Sequence, residues 1–457
     1  MKKVTIITTI FVLLLLLGCG GGGNSGTGNN TPVPKEWQGV TKVDNLALAQ
    51  EIDGISDEKS LSVNKNGNAA LIWRQVDGGH KSAFVSFYDF NSNSWSTPAK
   101  VDSLPQDIVS AKIVLNDNND AVATWIQKDS SNHENLYLRK YTHDIGWSTT
   151  THLLETNSND VYNFDMAFVG NRAVISWIQK VGSYNRALVR GYNFQTDSLE
   201  GTSVEGIGNN DAYITKVGLD SSGNIMAIWT QIYNSHINLY ARRYNNSSSS
   251  WESIKTVEHY TSAAIYTNLD MNRVGDVSFI WMQNDGSHVN TYVSFYNHSN
   301  NSYTNPVVVD ALDTPVSKPS IAINENSDVI ATWRQKDSSG NYNVYATIYK
   351  KSTNSWSAVE RIEDINNNSV YDIKADIDKN GNAIVIWRQK DDSNINSIYA
   401  NYFDASDNSW SGDVSLENVD YDAFYPISKI DQDGNVVVTW LQNNSLGKQH
   451  LYNNVYR

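Results

Sequence analysis

The chain of 457 residues carries 35 Lys and Arg against 49 Asp and Glu, a formal net charge of −14 at pH 7. That balance, with no basic run, excludes the phosphate-tracking contacts of a nucleic-acid binder and electrostatic docking on anionic lipid. The single cysteine, Cys19, excludes an intramolecular disulfide and a thiolate metal cage, so burial alone must hold the fold together.

Met1-Lys2-Lys3 and the apolar run over residues 4–17 have the basic start and short core of a secretory signal peptide. The run falls short of the ~20 apolar residues of a membrane-spanning helix. Leu16-Leu17-Gly18-Cys19 resembles the lipobox of bacterial lipoproteins, with Leu17 standing where that family usually has a small residue. The resemblance implies cleavage of residues 1–18 and lipid on Cys19. Because Gly20 rather than Asp follows, it also implies an outer-membrane destination, with the periplasmic and surface sides both open. Removing Lys2 and Lys3 with the signal takes the charge from −14 to −16, so the lipid is expected to be the only membrane contact. Residues 19–36, rich in Gly, Asn, Ser and Thr and then Pro32 and Pro34, read as a flexible tether.

From residue 37 to 457 one pattern returns eight times. A polar turn leads into an apolar run that ends in Trp-x-Gln, at Trp73, Trp125, Trp177, Trp229, Trp281, Trp333, Trp387 and Trp440. The Trp spacing is 52 residues five times, then 54 and 53, and a fixed period of this size signals a repeat architecture. Each repeat reads as four strands, a to d. Strand a ends in an Asx- and Gly-bearing turn such as Asn64-Lys65-Asn66-Gly67. Strand b, as in Val436-Val437-Val438-Thr439-Trp440, is apolar on both faces and therefore lies between layers. Strand c alternates, and strand d opens on an aromatic residue. Four strands in about 50 residues match a propeller blade.

The strand d aromatic follows the repeat Trp by 22 or 23 residues: Trp95, Trp147, Trp251, Tyr303, Trp356 and Trp410, with Leu199 in the third repeat. After Trp440 that position falls near 462, beyond Arg457, whereas residues 37–43 look like a strand d without a repeat. The expected fold is therefore all-β: a closed eight-bladed β-propeller whose last blade is completed by the N-terminal strand. Closure removes the exposed edges that invite aggregation.

Within the repeat, the eight Trp residues are expected to pack between blades, and the Gln to bond neighbouring backbone. Binding residues are sought where the repeats differ. The x of Trp-x-Gln is Arg in Arg74, Arg334 and Arg388, which closure places on one arc broken by Leu441. Arginine suits bidentate capture of an anion, but nearby Asp77, Asp337 and Asp391 offer it structural partners. His80, His133, His236 and His288 share one repeat position, on loops too far apart for a common metal. Asp107, Asp160, Asp211 and Asp422 lie in the loops entering strand a, where acids line a channel mouth or are simply solvated. The turns are too short for calcium loops. The segment from turn to Trp resembles the Asp-box of sialidase propellers only in outline, because the Ser-x-Asp-x-Gly order is missing.

No nucleophile elbow, zinc-protease helix, phosphate loop or dinucleotide fingerprint occurs, so no catalytic residue, metal or cofactor is expected. The expected function is a protein-interaction or scaffold module of the bacterial envelope, acting as a monomer. The alternative is a glycan- or anion-binding propeller using Arg74, Arg334 and Arg388, with a polysaccharide-degrading enzyme as the third reading.

Overall fold

The computed structural model describes residues 35–44, 52–55, 58–155, 158–310, 312–364, 368–417 and 420–457. The signal segment 1–18, Cys19 and the tether up to residue 34 lie outside them. Glu36–Arg457 form one unit of eight antiparallel sheets, with a single short 3-10 turn at Glu58–Ser60 and no α-helix among the described residues. The protein is a closed eight-bladed β-propeller.

Strand a of each blade borders a central channel. In blade order these are Leu61–Val63, Ile108–Leu115, Val161–Val169, Ala212–Leu219, Ile265–Met271, Val316–Ile323, Tyr371–Ile377 and Ala423–Ile430. The turns from a to b are closed by their first Asx side chain. Asn64 Oδ1 accepts from the Asn66 and Asn68 amides, and Asp220 Oδ1 accepts from those of Ser222 and Asn224. Several of these side chains also reach the next turn round the ring: Asn64 Nδ2 donates to Asn116 O, and Asn324 Nδ2 donates to Asp378 O.

Strand b carries the core. All eight repeat Trp residues are at most 1% exposed. Each indole Nε1 donates to the Oε1 of the Gln two residues on, at 3.0–3.2 Å. The Gln Nε2 then donates to backbone carbonyls of the loop entering its own blade, as from Gln231 to Ile207 O and Asn210 O, and from Gln335 to Leu312 O and Thr314 O. A buried amide with four hydrogen-bonding sites thus fixes both the Trp ring and the d–a loop.

A second recurring group ends strand d. Asp44, Asp102, Glu155, Glu205, Glu258, Asp310, Glu363 and Glu417 each follow an apolar residue, one per blade. Several accept a strand c amide: Ala83 N to Asp102 at 2.7 Å, Leu136 N to Glu155 at 2.9 Å, and Ile398 N to Glu417 at 2.8 Å. Gln283 of blade 5 also donates to Glu258 of blade 4 at 3.1 Å, so the acid joins successive blades.

The last blade is closed as the missing strand d requires. Thr41–Lys42 pairs antiparallel with Gln449–Tyr456, Thr41 opposite Asn453. Trp37 bridges Tyr456, with ring centroids 5.3 Å apart, repeating the Tyr88–Trp95 and Phe403–Trp410 contacts of other blades. Asp44 occupies the acid position, accepting from Leu451 N at 3.0 Å and lying 2.7 Å from His450 Nδ1.

Candidate functional site at the channel mouth

The two ends of the channel differ. At the end formed by the a–b turns, Arg273 of blade 5 reaches Asp117 of blade 2 through two hydrogen bonds, one of them Nη2 to Oδ1 at 2.9 Å. Glu325 and Lys65 flank this pair, each at 3.7 Å. A charge-assisted strut crosses that end. The opposite end, where the d–a and b–c loops lie, opens into a cavity of about 380 Å³ bordered by Ile55, Tyr266, Lys318, Ile373, Tyr425 and Pro426.

The mouth owes its form to one irregularity repeated in every blade. The a–b ladder slips near the start of each strand a, from Ile52/Gly54 in blade 1 to Phe424/Ile427 in blade 8. A bulge adds a residue to one strand and re-aims its side chain. The extra residue takes a left-handed conformation at Asn163, Tyr266, Lys318, Asp372 and Tyr425, with φ between 47° and 54°. Asn and Asp adopt this readily, but for bulky Tyr it is a strained state costing on the order of 1 kcal/mol or more. The strain leaves the rings in solvent, Tyr266 51% exposed and Tyr425 54% exposed. Tyr162, Tyr213 and Tyr371 stand next to the same bulge in blades 3, 4 and 7 and are also exposed. Tyrosines thus stand at or next to this bulge in five blades, and two of them, Tyr266 and Tyr425, border the mouth cavity.

Each of the three arginines reaches a strand a beside such a bulge. Arg334 donates to Val370 O of the next blade at 3.0 Å, and Arg74 donates to Val109 O of its own next blade. Arg388 binds Asp372 Oδ2 at 2.8 Å and Asn396 Oδ1 at 3.1 Å. Arg334 and Arg388 lie 5.5 and 4.9 Å from the ring of Tyr371, holding it between two guanidinium groups. Arg334 and Arg388 hold backbone, Asp372, Asn396 and aromatic rings rather than Asp337 or Asp391; Arg74, in blade 1, continues their arc across blade 8. The d–a loop acids close loops: Asp107, Asp160, Asp211 and Asp422 accept the amides of Lys81, Glu134, Asn185 and Asn396 at 2.7–2.9 Å. His80, His133 and His288 stand 3.6–3.9 Å from separate aspartates, and no metal-ligating cluster occurs among the described residues.

Below the mouth the channel narrows to a cavity of about 230 Å³. Its wall carries charge that no repeat motif announces. The strand a residues opposite the position just before the repeat Trp include Lys112, Asp165, Lys216 and Lys374. Two residues deeper lie Asp270, Asp376 and Lys429. Lys59 joins from blade 1, reaching Asp165 at 2.8 Å and Met166 O at 2.7 Å. Burial lowers the Lys59 ammonium pKa; Asp165 opposes this, while Lys112 and Lys216 push the same way as burial. The carboxylates serve the backbone of the next blade. Val217 N donates to Asp165, Ile323 N to Asp270 and Ile430 N to Asp376, at 3.0–3.2 Å. The pattern runs from odd to even blades, and in blade 1 Ser62 Oγ takes the same place under Leu115 N.

No family model and no curated protein matches the chain. Among solved structures, the chain resembles the Dos1 propeller at 10% identity with a TM-score of 0.51, over 92% of this chain and 95% of that one. It also aligns with the NanB sialidase from Streptococcus pneumoniae (9% identity, TM-score 0.37, 91% and 94% covered). An ulvan lyase, a polysaccharide lyase, aligns at 12% identity and TM-score 0.40, over 62% and 80% of the two chains. At these identities the likeness concerns the fold alone.

Proposed function

We propose that this propeller is a glycan-binding module of the bacterial envelope and that its ligand docks on the mouth between the d–a and b–c loops. The observation that carries this reading is the pair of exposed tyrosines bordering the mouth cavity, Tyr266 and Tyr425, both held in a strained backbone. Strain kept at a solvent-facing aromatic contributes nothing to the core and is typical of sites that preorganise a contact. An aromatic ring offers the apolar face of a sugar a large area at little entropic cost, and the surrounding Asn and Asp supply hydrogen bonds. A flat protein partner has less use for a concave mouth than a sugar has, which favours glycan over scaffold. In this reading Arg334 and Arg388 position Tyr371 rather than grip the ligand themselves.

The lipobox-like segment supports an address. We infer export and attachment through lipid on Cys19, with residues 19–36 holding the propeller off the membrane. Cys19→Ser would then abolish labelling by a palmitate analogue and release the protein from the membrane fraction; membrane attachment that persists in the variant would reject the anchor.

The site is tested by screening the full-length chain in detergent against a glycan array. Tyr266→Ala and Tyr425→Ala are each expected to weaken a bound glycan by about tenfold, roughly the worth of one aromatic contact, with melting temperature unchanged. Affinity that survives both changes would place the ligand elsewhere. If no glycan binds and a protein cross-links to the mouth face in intact envelopes, the scaffold reading takes over.

A further inference from the structure

Between the outer strands of blades 3 and 4 the repeat breaks its own rule. The strand c residue opposite the third position before each repeat Trp carries a side chain in seven blades and is Gly191 in blade 3. In blades 1, 4, 5 and 7 that side chain meets an aromatic ring of the next blade: Phe87 on Tyr141 at 4.2 Å, Arg243 on Tyr296 at 5.8 Å, Phe295 on Tyr349 at 4.8 Å and Tyr402 on Tyr456 at 5.2 Å. Gly191 brings nothing to the matching ring, Tyr244 of blade 4, and a cavity of about 330 Å³ opens there, bordered by Tyr244 and Trp251. These two rings meet edge to face, with centroids 5.4 Å apart. Two further departures gather at the same groove. Leu199-Glu200 stands where blades 1, 2, 6 and 7 have Trp-Ser, and Arg172, five residues before its Trp, stands where the other seven repeats have Asn or Asp. A Cβ on residue 191 would lie 2.0 Å from Glu200 Oε2, so the carboxylate fills the place of the missing side chain. Arg172 Nη2 donates to that oxygen at 2.6 Å, while its Nη1 is held by Gly223 O at 2.6 Å and Asn246 Oδ1 at 3.0 Å. Glu200 and Thr202 both line the cavity, and Glu200 Oε1 and the Thr202 hydroxyl have no hydrogen-bond partner among the described residues.

We propose that this groove is a second sugar site, seating one uncharged pyranose with its C–H face on Trp251 and Tyr244 and its hydroxyls on Glu200 Oε1 and Thr202. A hole left by a missing side chain would need neither an acid nor an arginine, yet both are added here. The aromatic floor supplies apolar area, and a carboxylate oxygen is a strong acceptor for sugar hydroxyls. The volume lies at the lower end of small-molecule sites, ~300–1,000 Å³, which suits one ring rather than a chain. Arg172 neutralises Glu200 and fixes its orientation, so the pair adds no net charge: a ligand anion would meet the carboxylate and a ligand cation the guanidinium. The inference stands apart from the mouth, because the two cavities share no lining residue. A molecule with both sites holds two chains of one polymer at once.

The test uses the full-length chain in a sugar-free detergent, with the mouth silenced by Tyr266→Ala and Tyr425→Ala. Methyl β-galactoside, methyl α-glucoside and methyl α-mannoside are titrated by ligand-observed NMR. At least one is expected to bind, with an affinity insensitive to salt, and the methyl glycoside of galacturonic acid is expected to bind no tighter than the galactoside. Adding Gly191→Phe with Glu200→Ser restores the residues of blade 1, Phe87 and Ser96, and fills the groove. That change should weaken binding about tenfold or more, while the melting temperature holds or rises. Trp251→Leu, the residue that blade 3 carries as Leu199, should weaken it by the same factor and serves if the double change fails to fold. With the mouth tyrosines intact, the filled groove leaves a glycan bound at the mouth undisturbed. No methyl glycoside bound by the mouth-silenced chain, or binding that survives both the filled groove and Trp251→Leu, overturns the second site and leaves the mouth reading standing. Tighter binding of the acid overturns the assignment to uncharged sugars. A groove that binds beside a mouth that does not rejects the mouth reading alone and upholds this one.

Discussion

At the scale of single residues, two kinds of buried group set stability. The first is the Trp–Gln couple. Trp229 is fully buried and its Nε1 bonds Gln231 at 3.2 Å, so Trp229→Ala removes both the ring packing and one partner of the amide. The expected cost is about 3–5 kcal/mol in denaturant unfolding. Gln231→Leu keeps the volume but strands the indole N–H, Ile207 O and Asn210 O, and should cost about 1–3 kcal/mol. An unfolding midpoint unmoved by either change would mean that the couple does not hold the blade. The second kind is the acid ending strand d. Burial raises Glu155 and Glu417 to about 7 from 4.5, and Asp310 to about 6. Between pH 4.5 and 7 the native state therefore binds more protons than the unfolded chain, so this contribution is complete below 4.5 and is lost as pH rises through 7. The unfolding midpoint should fall from pH 5 to pH 8. In Glu155→Gln, Glu417→Gln the fall should flatten by roughly 1–3 kcal/mol over that range. A pH profile identical to wild type would show that these two groups do not titrate differently on folding.

At the scale of the element, strand a carries both architecture and site, and they pull against each other at the bulge. Tyr425 has φ 52°, which glycine adopts without strain. Tyr425→Gly should leave stability unchanged or raise it by up to about 1 kcal/mol, while glycan affinity drops. A parallel loss of both would mean that Tyr425 packs rather than binds. Strand periodicity also explains what the sequence could disclose. Trp73 and its seven equivalents announce themselves because one large residue at a fixed period survives any local irregularity. The orphan strand at 37–43 is legible for the same reason, since its Trp37 repeats the aromatic of Trp95. The bulge is not legible: one extra residue inside an apolar run changes neither the Trp spacing nor the alternation visible in seven residues. The strand d acids were within reach, as Val101-Asp102, Leu154-Glu155 and Leu416-Glu417 share an apolar–acid pair, but they read as ordinary surface charge without burial. The channel lysines were out of reach. Lys216 and Lys374 lie 13 residues before their Trp, Lys429 lies 11 and Lys59 lies 14, so only ring closure brings them to one cavity. Arg74, Arg334 and Arg388 stood out by contrast with their neighbours, and such contrast marks a position at the mouth without telling grip from support.

At the scale of the whole molecule, the ring depends on a strand contributed from the far end of the chain. Thr41 and Asn453 are direct partners in that closure, 412 residues apart in sequence, and their side chains touch. Burial of Val43 and the Asp44–His450 contact add to the same seam. A propeller without its closing strand exposes the edge of Gln449–Tyr456 and loses the packing of Trp37 on Tyr456. Deleting residues 36–44 should therefore lower the melting temperature and broaden the transition, because the blades next to the opening no longer unfold with the rest. The converse experiment is stricter. In a Cys19→Ser background, Thr41→Cys with Asn453→Cys places two thiols on facing strands. Oxidation should stabilise the fold by about 2–4 kcal/mol, reversed by reductant, because the cross-link closes almost the entire unfolded chain into one loop. A cross-link that forms without moving the unfolding midpoint would mean that the seam is already the last part of the ring to open, and that unfolding begins at another blade. A rise that vanishes on reduction would identify the seam as the place where the ring gives way first. The channel and its mouth would then depend, for their shape, on a strand that touches neither.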